Sequence, residues 1–173
     1  MLRGYLSPTM ASLTAHMSPA GTKPVASNRK AYHDYSILDE IEAGIVLRGS
    51  EVKSLRLGMG RITEAFARIT DGQMWLEGMH IPAYSHATGF GAHVPDGPRK
   101  LLLHRAEIAR LASRVNQEHL TLIPLSLYLK DGKVKVLMGL AKGRTRGDKR
   151  QALAKRDAEQ DIRRELGRAR KGK

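Results

Sequence analysis

Hydrophobic and polar positions alternate most regularly between Leu120 and Lys142. Leu125, Leu127 and Leu129 alternate with Ser126, Tyr128 and Lys130, and Val134 and Val136 alternate with Lys133 and Lys135. Asp131-Gly132 lies between the two runs, so the pattern predicts a β-hairpin with one face in a core. The other face would show Tyr128 and the lysines to solvent. A second hairpin is predicted from Ala65–Ile69 and Gln73–Leu76 around Asp71-Gly72, with Phe66 and Trp75 as core residues. Ile37-Leu38 and Ala43–Leu47 read as two short strands split by Asp39, Glu40 and Glu42. Two helices interrupt the strands. In one, Ser50 is a candidate N-cap, Glu51 suits the first turn, Val52 and Leu55 share a face, and Gly58 ends it. The other follows Arg99–His104 to about Asn116, with Ile108, Leu111, Ala112 and Val115 at helical spacing. The fold class expected is mainly β with short helices, closed as a small antiparallel barrel over residues 28–141.

The flanks lack such patterning. Residues 1–27 are rich in Ser, Thr, Pro and Ala and are expected to be a disordered extension. Their apolar run is broken by Pro8, Thr9, Ser12, Thr14 and His16, which argues against a secretory leader. Met10 and Met17 both remain candidate starts. Residues 142–173 form a basic tail with a narrow stripe of Ala154, Ala158, Ile162 and Leu166, and Leu153 beside it. That stripe is too poor in large apolar groups to dock strongly on the barrel. The tail is expected to be disordered alone or helical on its partner, with Asp148 as the helix cap.

Charge narrows the class of partner. The chain carries +13 at neutral pH with pI near 10.3, and the tail from Lys142 onward holds thirteen Lys and Arg against five Asp and Glu. A polyanion, nucleic acid or an anionic membrane surface, is implied. No apolar run approaches the ~20 residues that span a bilayer, and the tail lacks the bulky apolar face of a membrane-surface helix. The absence of cysteine removes disulfide and thiolate chemistry and fits a reducing cytoplasm. In Asn28–Tyr35, cations stand beside rings that could stack bases; equally, the tyrosines could cap a core. The loop from His80 to Pro98 carries His80, His86 and His93, but their spacing matches no standard metal site, so surface histidines are expected. Asp34, Asp39, Glu40 and Glu42 could serve a metal-dependent nuclease. No His or Lys spacing supports catalysis, and solvated strand-end carboxylates are the better reading.

Several blocks stand in a familiar order: Asn28-Arg-Lys-Ala with His33-Asp-Tyr35, Glu42-Ala-Gly44, Gly49-Ser-Glu-Val-Lys-Ser-Leu-Arg56, Arg99-Lys-Leu-Leu-Leu-His104, Leu120-Thr-Leu with Pro124-Leu, and Ala141-Lys-Gly143 followed by Asp148-Lys-Arg150. In these the chain resembles the SsrA-binding protein (SmpB) family, the bacterial partners of transfer-messenger RNA in ribosome rescue. The resemblance covers about residues 28–166. It implies an oligonucleotide-binding-type (OB-like) barrel that binds the tRNA-like domain of that RNA, with Glu42, Leu102 and His104 where the family contacts RNA. It places His33 near the ribosomal decoding site, Lys142, Gly143 and Arg144 at the start of the basic segment, and Asp148, Lys149 and Arg150 in the tail motif. That tail would enter the empty mRNA channel of the small subunit and fold there as a helix. The outward Lys53, Arg56 and Tyr128 join the RNA-binding candidates, and Arg146, Lys155 and Arg156 join those of the tail. The protein is expected to be a cytoplasmic adaptor, one monomer per RNA, with no enzymatic activity, cofactor or metal. A generic RNA-binding or ribosome-associated protein is the alternative. Two departures stand out: Tyr32 replaces a usual basic residue, and Thr145-Arg-Gly147 replaces a Lys plus a bulky or aromatic residue.

Overall fold

A computed structural model describes residues 21–86 and 92–171, leaving aside the side chains of residues 146, 149, 152, 165 and 167–171. Expectations for residues 1–20, for residues 87–91 of the long loop, and for the side chains of Arg146 and Lys149 therefore fall outside the described part. The elements are β1 (Lys23–Ser27), α1 (Arg29–Asp34), β2 (Tyr35–Ile45), α2 (Gly49–Arg56), β3 (Phe66–Thr70), β4 (Gln73–Glu77), β5 (Arg99–Leu102), α3 (Arg105–Glu118), β6 (Thr121–Lys130), β7 (Lys133–Gly143) and α4 (Arg146–Lys171). All pairings are antiparallel. They run β6–β3–β4–β5–β2–β7 and return from β7 to β6, which closes a barrel. β1 lies along the second half of β6, from Lys23 opposite Leu129 to Ser27 opposite Ser126. The ordered barrel thus begins before residue 28, inside the stretch expected to be disordered.

Both Asp-Gly hairpins form. Asp71 and Gly72 have φ of +51° and +68°, and Asp131 and Gly132 have +50° and +73°. Two successive positive φ values give the turn whose twist matches the flanking strands. The first hairpin has the opposite phase to the expected one, however. Met74 and Leu76 are fully buried and Ala67 nearly so, while Phe66 is 44% exposed. Phe66 and Trp75 therefore belong to the outer face, because side chains alternate strictly along a strand.

β2 is one strand where two were expected. A bulge between Ile37 and Asp39 interrupts its register with β7, and Leu38 is left exposed. A second bulge, between Pro124 and Ser126, interrupts the register of β6 with β7, and there the bulged Leu125 is buried. Each extra residue reverses which face the following side chains take. Leu122 and Leu127 consequently lie inside the barrel with Leu55, Leu101, Val136 and Met138. Ile123 and Leu125 lie outside it with Ala31 and Ala141, covered by Tyr32, Tyr35, Ile37 and Leu137. Gly139 makes room for the bulge: a Cβ there would stand 2.9 Å from Leu125 Cδ1. This outer cluster decides between the two readings of Asn28–Tyr35. The segment is a helix capped by the Asn28 side chain, which accepts from the Ala31 amide at 3.1 Å, and its tyrosines cover a small core.

α2 is stitched in place by its polar side chains. Its N-cap is Arg48, not Ser50; the Arg48 amide donates to Glu51 Oε2 at 2.7 Å. Ser54 Oγ donates to the Pro82 carbonyl at 2.9 Å, and Leu55 fills the barrel end. Arg99 spends all five of its donors. Nε reaches Glu51 Oε1 at 2.8 Å, and the two terminal nitrogens reach the carbonyls of Met79, Gly97, Val94 and Pro95. That buried guanidinium organises the long loop. His93 is buried as well, corrected from a surface position: its Nδ1 accepts from Ser50 Oγ at 2.9 Å and its Nε2 donates to the Ile81 carbonyl at 3.0 Å. His80 pairs instead with Asp96 at 2.6 Å.

α4 begins earlier than expected and has a different cap. Thr145 stands just before it. Thr145 Oγ1 accepts from the Asp148 amide at 3.3 Å, while Asp148 Oδ2 accepts from the Thr145 amide at 3.1 Å and from its hydroxyl at 2.7 Å. This reciprocal pair is a capping box with Asp148 in the third helical position. Leu153, Ile162 and Leu166 are exposed, so α4 draws no packing energy through them from the barrel.

Candidate RNA interface

Strand register assembles the outer face. Ala43 is buried, so Glu42 and Gly44 point outward from β2. Leu102 lies opposite Gly44 across β2 and β5, Lys135 lies opposite Gly44 across β2 and β7, and Tyr128 lies opposite Lys135 across β6 and β7. One row of the barrel wall therefore reads Leu102, Gly44, Lys135, Tyr128, with Glu42 beside it. Gly44 is needed for the closeness of that row, because a Cβ there would meet Leu102 Cβ at 3.2 Å. Leu102 is 51% exposed.

Glu42 is the polar centre. Tyr128 Oη donates to its Oε2 at 2.6 Å, and Lys130 Nζ lies 3.2 Å from both carboxylate oxygens. The Tyr128 hydroxyl, then Lys130 and Lys135, hold the Glu42 carboxyl below the usual carboxylate range, against a smaller opposing effect of burial. Burial, reinforced by Glu42, pushes the Tyr128 hydroxyl up, so it remains a donor at neutral pH. Tyr128 itself is fully buried, where solvent exposure was expected. β1 beside it closes the second half of β6. The residue can set the position and ionisation of Glu42 but cannot stack on a base. Lys130 and Lys135 take the cationic role at this face. The alternation of the hairpin pointed to both, but only the three-strand register brings them to Glu42. His104, exposed, lies two residues past β5 as the N-cap of α3 and donates its amide to Glu107 at 2.9 Å. Lys53 and Arg56 are exposed on α2. The Lys53 ammonium stands 5.5 Å from the Tyr84 ring centre, a cation–π contact made on the loop side.

The other end of β2 carries the second group. Tyr35 pairs with Gly143 and Ser36 with Lys142, and the Arg144 amide donates to the Asp34 carbonyl at 3.0 Å. His33, exposed on α1, has its Nδ1 3.0 Å from Asp34 Oδ1. His33, Lys142, Gly143 and Arg144 thus share one end of the barrel wall, where α4 departs. Asp148, Arg150, Lys155 and Arg156 are exposed along α4, and Lys149 lies in its first turn. The Thr145 hydroxyl and then its amide hold the Asp148 carboxyl below its usual range. From Tyr35 to Gly44, β2 separates the two groups by roughly 25–30 Å of strand.

The four acidic residues considered for catalysis are spread over separate partners. Asp39 pairs with Arg114 at 3.1 Å, Glu42 with Tyr128 and Lys130, Asp34 with His33, and Glu40 stands 3.5 Å from the Tyr32 hydroxyl. Burial and then Glu40 push the Tyr32 hydroxyl up to about 12, so this position supplies a neutral ring rather than a cation. Among the described residues no group of three or more potential metal ligands converges. Nor is any described helix long and apolar enough to cross a membrane.

Comparison with known proteins agrees with this geometry. The family model described as "SmpB protein" matches residues 25–168. The SsrA-binding protein of Mycobacteroides abscessus is 55% identical over 152 residues, covering 88% of this chain and 95% of that relative. That of Saccharopolyspora erythraea is 53% identical over 153 residues, covering 88% and 96%. Among solved structures, a chain from the work described as "tmRNA-SmpB: a journey to the center of the bacterial ribosome" is similar at a TM-score of 0.60 and 47% identity, covering 75% of this chain and 94% of that one. A family match over most of the length, relatives at this identity, and a barrel that sets the shared motifs on two ends of one strand lead to one conclusion: the chain belongs to the SmpB family.

Proposed function

We propose that this protein is the adaptor that carries transfer-messenger RNA to stalled ribosomes. Its outer face around Glu42, Leu102, His104, Lys130 and Lys135 takes the tRNA-like domain of the RNA. The opposite end, with His33 and Lys142–Arg144, faces the decoding site, and α4 occupies the mRNA channel when no mRNA fills it. The observation that carries this reading is the placement of the two residue groups at opposite ends of β2. One rigid strand can then touch RNA at one end and direct a cationic helix from the other. A basic helix and an mRNA strand compete for the same anionic groove, so α4 tests whether the channel is empty. No bond is made or broken by the protein, which acts in the cytoplasm by shape and charge.

The test is deletion of residues 142–173. The truncated protein should bind the tRNA-like domain with nearly full affinity in a filter assay, yet fail to support tagging of incomplete chains on stalled ribosomes. Loss of RNA binding together with the tail, or full tagging without it, would show that the division of labour is wrong.

A further inference from the structure

The outward face continues one row beyond Leu102. Trp75 lies between the fully buried Met74 and Leu76, so its indole is on the outside of β4. The same alternation puts Lys100 outward beside buried Leu101, and Arg68 outward beside buried Ala67. Register sets Trp75 opposite Arg68 on β3 and opposite Lys100 on β5. The Val46 amide donates to the Lys100 carbonyl at 2.9 Å, so half-exposed Val46 completes the row. The indole therefore stands between two cationic side chains, each one strand away at about 4.8 Å. Arg68 is tethered by Glu77, whereas among the described residues no carboxylate pairs with Lys100.

We propose that Trp75, flanked by Arg68 and Lys100, is a stacking platform for an unpaired base of the same RNA. The proposal rests on the RNA-binding function stated above and extends its surface from β2 and β5 onto β4. A tryptophan on the outer wall of a barrel fills no core, but its π-face stacks on any base. Lys100 supplies a cation for the adjoining phosphate. RNA is favoured as the occupant over an acidic protein because the row is continuous with the face of Leu102, Lys130 and Lys135, and because unpaired bases are what an aromatic set among cations recognises.

Trp75 is the chain's one tryptophan, so intrinsic fluorescence reads this site directly. The full-length protein is titrated with a transcript of the tRNA-like domain of transfer-messenger RNA. Emission and acrylamide quenching are followed beside filter binding. Emission should fall with the same midpoint as filter retention, and bound RNA should shield the indole from acrylamide. Trp75→Ala should weaken binding about ten-fold with an unchanged salt slope, Trp75→Phe should retain most of the affinity, and Lys100→Ala should lower the log–log salt slope by about one. Filter-retained complex with unaltered emission and acrylamide access overturns the platform and leaves the adaptor function standing. No retention at all overturns both.

Discussion

Glu51 and Glu42 are both glutamates held by cations, and the two sites behave as opposites. Glu51 is buried against Arg99, whose side chain is 3% exposed and whose five donors are all used within the fold. Glu42 is partly open to solvent and shares Lys130, whose side chain is 44% exposed. In the first pair nothing is left to offer a partner, and breaking it strands a charge in a dry place. In the second, water already competes, and a phosphate can compete for Lys130 at little cost. The difference separates the ion pair that builds the barrel end from the one available for recognition.

The largest expected effect tests the buried side. Arg99→Ala should lower stability by about 3–5 kcal/mol, because it leaves the buried Glu51 carboxylate without its cation and takes a charged donor away from four loop carbonyls. Urea unfolding reads this directly, and a midpoint equal to that of the parent protein would break the contrast. Next comes Tyr128→Phe, which should cost about 1.5 kcal/mol as a hydrogen bond to a charged group is lost. Since the Tyr128 hydroxyl is the largest cause of the lowered Glu42 pKa, the carboxyl should titrate closer to its ordinary value in this variant, as followed by NMR. A carboxyl lowered on folding contributes stability that is complete above its unfolded pKa and is lost as pH falls through its folded pKa. The gap between parent and Tyr128→Phe should therefore narrow on acidification through that range. The smallest effect on folding belongs to Lys130→Ala, no more than about 1 kcal/mol for an exposed pair. That variant should nonetheless bind RNA more weakly, with a log–log salt slope smaller by about one. An unchanged slope would remove Lys130 from the interface.

Local chemistry was legible in the sequence where it acts locally. The two Asp-Gly turns, the helical faces of α2 and α3, and the basic tail are set by neighbours a few residues apart. What stayed hidden depends on distant partners. Two bulges reverse side-chain phase without leaving a mark in the pattern. β2 therefore reads as two strands, and Leu125 and Leu127 read as residues of one face although the bulge sets them in different clusters on opposite sides of the barrel wall. Tyr128 looked solvent-facing because nothing in its own hairpin shows that β1 will lie beside it. Phe66 and Trp75 have the size and hydrophobicity of core residues, yet the alternation that Met74 and Leu76 carry sets them on the outer face. The block Gly49–Arg56 marks the family, yet Ser50, Glu51, Ser54 and Leu55 spend their side chains on His93, Arg99, the Pro82 carbonyl and the core. The block packs the barrel end, with Lys53 and Arg56 left over as exposed cations. Thr145 is the reverse case: the resemblance assigns it nothing, but with Asp148 it supplies the cap from which α4 starts.

The long pairing of β2 with β7 also sets a schedule. Nearly the whole of β2 finds its partner about a hundred positions later in the chain, so closing the barrel demands a distant loop closure. During synthesis, β2 must wait with an unpaired edge until Lys133–Gly143 has been made. A copy of this chain cut short before that strand would display β2 as an open template for other strands, the kind of unfinished product that aggregates.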